Sequence, residues 1–240
     1  MPHRNVADLP DGYAASVPGA VLIPIKSFDL AKGRLAASIE PANRSTLAME
    51  MAAAVIRAAR DLPVWVVCGD HTVADFAREH GADVIWREPN GLNRAIADGT
   101  ADLAARGFDR AIIAHADLPL ATDLTFLDGD LGSDLVMLVP DRRDDGSNVL
   151  SIPLGRGFEF HYGPGSARAH RAEAERCGLP VRTINDERLC WDIDVPDDLA
   201  SLPNDLLPDH VLSDHLLDPR PRSDRTHLDR PHLDRTEERP

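Results

Sequence analysis

Two acidic stretches, "HADLPL" (His115–Leu120) and "WDIDVPDDL" (Trp191–Leu199), and one basic stretch, "IPIKSFDLAKGRLA" (Ile23–Ala36), hold the side chains best suited to chemistry. Asp117 follows the apolar run "AIIA", and Pro119 stiffens the turn after it. A carboxylate in that position either reaches a metal ion or caps a following helix. Asp192 and Asp194 alternate with Trp191, Ile193 and Val195, so in an extended segment both carboxylates point to one face. Acidic groups from separate parts of the chain are what a Mg²⁺ ion bridging phosphates requires, because Mg²⁺ prefers oxygen and takes few ligands from protein. Asp197 and Asp198 have a plainer use, as negative charge at the start of the short helix opened by Pro196.

Lys26, Lys32 and Arg34 suit a triphosphate; the alternative is a solvated basic face. The chain has neither a G-x-x-x-x-G-K-[ST] nor a G-x-G-x-x-G pattern, so the common nucleotide fingerprints do not apply. In "REPNGLNRAI", Asn93 follows a helix-opening Gly91 and offers both donor and acceptor to a base or ribose. "DDGSNVL" and "HYGPGSARAHR" pair glycine with a hydroxyl, Gly146 with Ser147, and Gly163 and Gly165 with Ser166. The second feeds a helix carrying Arg168 and His170 in its first turns. It is either a phosphate seat or a turn with an N-cap.

The elements that must position these groups are β-branched runs alternating with helical segments. Strands are expected at Ala20–Ile25, Val64–Cys68, Asp83–Trp86, Ala111–Ala114 and Asp134–Val139, with helices in "ANRSTLAMEMAAAVIRAAR" and "GLNRAIADGTADLAARG". Such alternation implies right-handed crossovers and a mostly parallel sheet covered on both faces, an α/β fold. Beyond Val139, "NVLSI", a helix to about Cys177 and "VRTI" suggest antiparallel additions. The expected organisation is a flexible leader over 1–19, one domain over 20–202 and a disordered tail over 203–240. The tail repeats "HLDR" with almost no bulky apolar residues and holds four of the ten histidines.

The chain has 26 Lys and Arg against 40 Asp and Glu, a formal charge of -14, which repels nucleic acid and anionic membranes. An anionic substrate must therefore be held by local cations, a divalent metal or helix N-termini. Three scattered cysteines argue against a disulfide framework or a zinc site, and no segment approaches the roughly 20 apolar residues needed to span a bilayer. A cytoplasmic location is expected.

In this order, "IPIKSFDLAKGRLA", "GLNRAI", "ADLP", "DGSNVL", "YGPGSARAH" and "DIDVPDDL" resemble the CofC/FbiD guanylyltransferases of coenzyme F420 biosynthesis, over about Ala20 to Leu202. The resemblance implies a Rossmann-like nucleotidyltransferase fold of the glycosyltransferase-A type. It also implies transfer of GMP from GTP to phosphoenolpyruvate, giving enolpyruvoyl-2-diphospho-5'-guanosine and pyrophosphate. 2-Phospho-L-lactate and 3-phosphoglycerate are the alternative acceptors. Carried over by motif, the acceptor contacts fall on Ser147, Gly163 and Ser166, and Mg²⁺ ligation on Asp117 with Asp192 and Asp194. Relatives often carry threonine where Ser147 stands, and His115 has no implied role. Lys26, Lys32 and Arg34 are then expected to neutralise the triphosphate, Asn93 to contact guanosine, and Lys26 and Asp117 to serve catalysis. A homodimer and a downstream transferase of the same pathway are the expected protein partners. A glycosyltransferase, a molybdopterin-type nucleotidyltransferase and a non-catalytic nucleotide-binding regulator are the rival readings.

Overall fold

A computed structural model describes residues 19–29, 32–36, 39–88, 90–129 and 133–202. All but Gly19 of the expected leader, and the whole expected tail, lie outside the described residues. Seven strands form one sheet: β1 (Ala20–Pro24), β2 (Val64–Cys68), β3 (Asp83–Trp86), β4 (Arg110–Ala114), β5 (Val136–Pro140), β6 (Ser147–Pro153) and β7 (Val181–Thr183). Their spatial order is β3-β2-β1-β4-β6-β5-β7. The helices are α1 (Pro41–Ala58), α2 (His71–Glu79), α3 (Leu92–Ala105), α4 (Ser166–Arg176) and α5 (Pro196–Ala200).

β1, β2, β3 and β4 are mutually parallel, as the alternating pattern predicts. β6 alone runs against its neighbours, and it lies inside the sheet between β4 and β5 rather than at an edge. The second half is thus less of an appendage than its irregular pattern implied, because β5 and β7 pair in parallel and extend the same sheet. Helix α2 was not anticipated: "HTVADFARE" is only nine residues long. Its start signal is Asp70, whose carboxylate accepts from the N–H groups of Thr72 and Val73.

Successive residues of β1 serve two cores. Val21 and Ile23 pack with α1 and α2 on one face, while Ala20 and Leu22 pack with α3 and α4 on the other. β1 therefore reads as a continuous apolar run, as a strand buried on both faces must. A third, smaller cluster has a different purpose. Leu35, Leu120 and Ile193, one from each chemistry-bearing stretch, pack with Leu47, Met51 and Ala54 of α1.

Chain order reverses on either side of β1, which is hydrogen-bonded to β2 on one side and β4 on the other. In an open sheet this crevice, beyond the carboxyl ends of the strands, is where ligands bind. The loop after β1 carries Lys26 and Lys32, and the loop after β4 carries Asp117. Among the described residues no helix is long and apolar enough to cross a membrane.

Leu22 is fully buried in this central strand. Leu22→Ala is expected to lower the unfolding free energy by about 2–5 kcal/mol, measured by urea denaturation.

Candidate active site

Lys32 is the junction of the site. Its ammonium donates to Asp117 Oδ2 at 2.6 Å and to Asp194 Oδ1 at 3.2 Å. Its side chain is only 8% exposed, so both bonds form with little competing water. The residue adopts the left-handed backbone conformation (φ 56°), unfavourable for a side chain with a Cβ and offset here by two ion pairs and the burial of Leu35. Arg34, largely exposed, lies 3.5 Å from the other oxygen of Asp194.

Residues after Asp117 form turns, and the first helix beyond is a 3-10 segment at Thr125–Leu127. The capping alternative for Asp117 is therefore set aside: its carboxylate faces Lys32. The two acidic stretches also touch through the backbone, the Ile193 N–H donating to the Asp117 carbonyl at 3.3 Å. "WDID" is a segment outside the sheet, laid over the β4 loop by this bond and by the burial of Ile193.

The carboxylates differ in state. Burial pushes Asp117 upward, but the Lys32 ammonium and His115 outweigh it, and the group lies below the usual carboxylate range. Burial also opposes the charge on Lys32, yet Asp117 and Asp194 together raise its pKa. Asp192 moves the other way, raised by burial and then by the negative charge of Asp117. One oxygen each of Asp117 and Asp192 is buried without a hydrogen-bond partner. Two such orphaned hard oxygens beside a seated ammonium suit a divalent cation that takes its remaining ligands from phosphate and water. As the side chains stand, no group of three or more acidic, His or Cys side chains encloses a metal position among the described residues.

Asp198 was expected to supply only helix-terminal charge, and its role is larger. Fully buried, it accepts from Arg142 (2.5 Å) and Arg143 (3.0 Å) and from the N–H groups of Asp194 and Val195, both at 2.9 Å. The Arg142 guanidinium stacks 4.0 Å above the Trp191 ring. Asp198 thus fixes the backbone that presents Asp192 and Asp194. No motif or spacing points to Arg142 and Arg143, which lie more than fifty residues upstream in a polar loop.

The glycine-hydroxyl stretches meet around His170. Ser147 and Ser166 are 1% and 2% exposed, and Gly163 has open space where a Cβ would stand. Ser147 Oγ lies 2.9 Å from His170 Nδ1. His170, in the first turns of α4, is fully buried, whereas Arg168 is exposed. Asn93 also differs from expectation. Its amide oxygen accepts from the Tyr162 N–H at 2.7 Å, and its amide nitrogen donates to the Tyr162 carbonyl at 3.2 Å. It clamps the glycine loop to the start of α3, a backbone role that its reading as a guanosine contact did not foresee. Lys26 is exposed beyond β1, and among the described residues the ion pairs of Asp117 and Asp194 are made by Lys32 and Arg34 instead.

His115 donates its backbone N–H to the Asn148 carbonyl, joining the β4 loop to β6, and its ring lies 5.2 Å from that of Tyr162. Asn148 in turn donates to the Leu189 carbonyl at 3.1 Å. The acidic end and the glycine loops are therefore one connected polar region. The structure brings together Lys32, Arg34, Asp117, Asp192 and Asp194 at one end, and Ser147, Gly163 and Ser166 at the other.

Residues 19–203 match the family model described as guanylyl transferase CofC like. A phosphoenolpyruvate guanylyltransferase of Sphaerobacter thermophilus is 34% identical over 187 residues, covering 75% of this chain and 90% of that protein. Another, from Chloroflexus aggregans, is 32% identical over 184 residues, covering 72% of this chain and 91% of its own. A solved nucleotidyl transferase from Methanothermobacter superposes with a TM-score of 0.57 at 16% identity, covering 79% of this chain and 97% of that one. This last likeness shows a shared fold.

Asp198→Asn is expected to destabilise the protein by about 3–5 kcal/mol in urea denaturation, because two arginines lose a buried counter-charge. Its carboxyl is held below the ordinary value by hydrogen bonds from Asp194 and Val195 and by Arg143, which together outweigh burial. The wild type should therefore keep this stabilisation at neutral pH and lose it as pH falls below about 4, a loss the variant should lack.

Proposed function

The chain belongs to the guanylyl transferase CofC-like family, and from that premise we propose that it transfers GMP from GTP to phosphoenolpyruvate, releasing pyrophosphate, in coenzyme F420 biosynthesis. The observation that carries this reading is the meeting of Lys32, Asp117 and Asp194, with the orphaned oxygens of Asp117 and Asp192, at the carboxyl ends of β1 and β4. A cation-seeking acidic site beside basic side chains, in an acidic protein, fits a polyphosphate better than a neutral sugar.

Asp117, Asp192 and Asp194 are the residues that would hold Mg²⁺, which when bound supplies charge neutralisation at the phosphates. Asp192, whose carboxyl is raised by burial and by the negative charge of Asp117, would have that penalty relieved by a cation beside it. Lys32 and Arg34 neutralise negative charge on the triphosphate, with Lys26 at the solvent edge. The phosphate of the acceptor is already an anion and attacks the α-phosphorus without a general base. Catalysis then consists of aligning two anions and offsetting their repulsion. Ser147, Gly163 and Ser166 seat the acceptor, and the buried surroundings of the two serines exclude water as a competing nucleophile.

Purified protein given GTP, Mg²⁺ and phosphoenolpyruvate should release pyrophosphate and yield a diphospho-guanosine product identifiable by mass spectrometry. Parallel reactions with 2-phospho-L-lactate and 3-phosphoglycerate should be much slower. Turnover confined to one of those acids would reassign the acceptor, and GTP binding without pyrophosphate release would favour the regulator.

Asp117→Asn should leave the fold intact and lower kcat by orders of magnitude, since a neutral amide is a poor Mg²⁺ ligand and a poor partner for Lys32. Near-normal turnover at limiting Mg²⁺ would remove Asp117 from the metal site.

A further inference from the structure

We propose that His170 is a positioning residue that sets the direction of the Ser147 hydroxyl and holds the Gly163 loop, so that acceptor binding depends on one buried imidazole. The inference rests on the reading of Ser147 and Gly163 as acceptor contacts and assigns the group that organises them.

The argument is one of donors and acceptors. His170 Nε2 lies 3.0 Å from the backbone N–H of His161, which can only donate. Nε2 must therefore present its lone pair, and a neutral ring then carries its proton on Nδ1. That proton points at Ser147 Oγ, 2.9 Å away, so the serine oxygen accepts. Its own hydroxyl hydrogen is released from this bond and is free to donate to an anion. The opposite tautomer would set two hydrogens against each other at His161. Burial, with the nearby His161 and His115, pushes the imidazole down to about 4, so the ring is neutral at physiological pH.

The same ring fixes the loop. His161 is held by His170, and the adjacent Tyr162 is held at both backbone groups by Asn93. Two successive residues are thus anchored immediately before Gly163. The Tyr162 ring packs edge-on against His170 at 4.7 Å, closing the ring off from solvent. His170 belongs to α4, Ser147 to the start of β6 and His161 to the intervening loop, so one side chain sets the relative positions of three segments.

The test compares Ser147→Ala, His170→Gln, His170→Asn and the Ser147→Ala/His170→Gln double variant. Glutamine keeps an acceptor where Nε2 stood but removes the donor at Nδ1; asparagine keeps that donor. His170→Gln should raise the KM for phosphoenolpyruvate roughly tenfold or more, as Ser147→Ala does, with KM for GTP and kcat within about twofold of wild type. The double variant should be no worse than Ser147→Ala, and His170→Asn, which keeps the donor to Ser147 but loses the hold on His161, should recover only part of the acceptor affinity. The inference is overturned if Ser147→Ala raises that KM and His170→Gln does not, if the two effects multiply, or if GTP and acceptor KM rise together. An unchanged acceptor KM in Ser147→Ala would overturn the underlying contact as well, and so separates the two failures. Nitrogen-15 NMR of the wild-type ring needs no turnover: a proton on Nε2 rather than Nδ1 would sink the inference even if no acid is turned over.

Discussion

The site depends on the placement of one ammonium between two carboxylates. Asp117 and the Asp192/Asp194 pair come from segments far apart in the chain, and bringing them into one crevice is opposed by their mutual repulsion and by burial. Lys32 offsets both, which is why its own pKa rises despite burial and why Asp117 remains ionised. Asp192, which has no cation of its own, shows what the same crevice does to a carboxylate left unpaired. A stronger cation arriving with a nucleotide would find oxygens already gathered and partly desolvated.

Electrostatics alone does not hold these loops in place. Leu35, Leu120 and Ile193 each lie within a few residues of a functional side chain, and all three are buried against the same turns of α1. The hydrophobic effect therefore works where it is strongest, on aliphatic side chains, and delivers the charged groups as a consequence. Asp198 adds the directional part, tying the backbone at Asp194 and Val195 to two arginines of the β5–β6 loop. A single apolar cluster and a single buried carboxylate thus control the geometry of the acidic end.

The glycine-loop end is organised by hydrogen bonds instead. His170 and Asn93 spend their polar groups on the backbone of His161 and Tyr162 and on Ser147. Both side chains are thus engaged in holding the loop that carries Gly163. This division suits a reaction between two anions, in which one end of the cleft supplies compensating charge and the other supplies shape and oriented donors.

The sequence by itself determined the parallel half of the sheet, because β-branched runs buried on both faces leave a continuous apolar signature. It also singled out the acidic residues, because a carboxylate after a buried strand has no packing role and stands out. The order of six short stretches was enough to place the chain beside its family. Only the tertiary structure decided what each polar group faces. Asn93 offers a donor and an acceptor, and only the fold shows both taken by the backbone of Tyr162; Arg142 and Arg143 carried no signal, and Asp198 read only as helix-terminal charge, until the three converged. The insertion of β6 between β4 and β5 was likewise hidden. The reason is common to all of these: hydrophobic periodicity is local and written along the chain, whereas a hydrogen bond or ion pair between distant residues depends on a few degrees and tenths of an ångström that no spacing encodes.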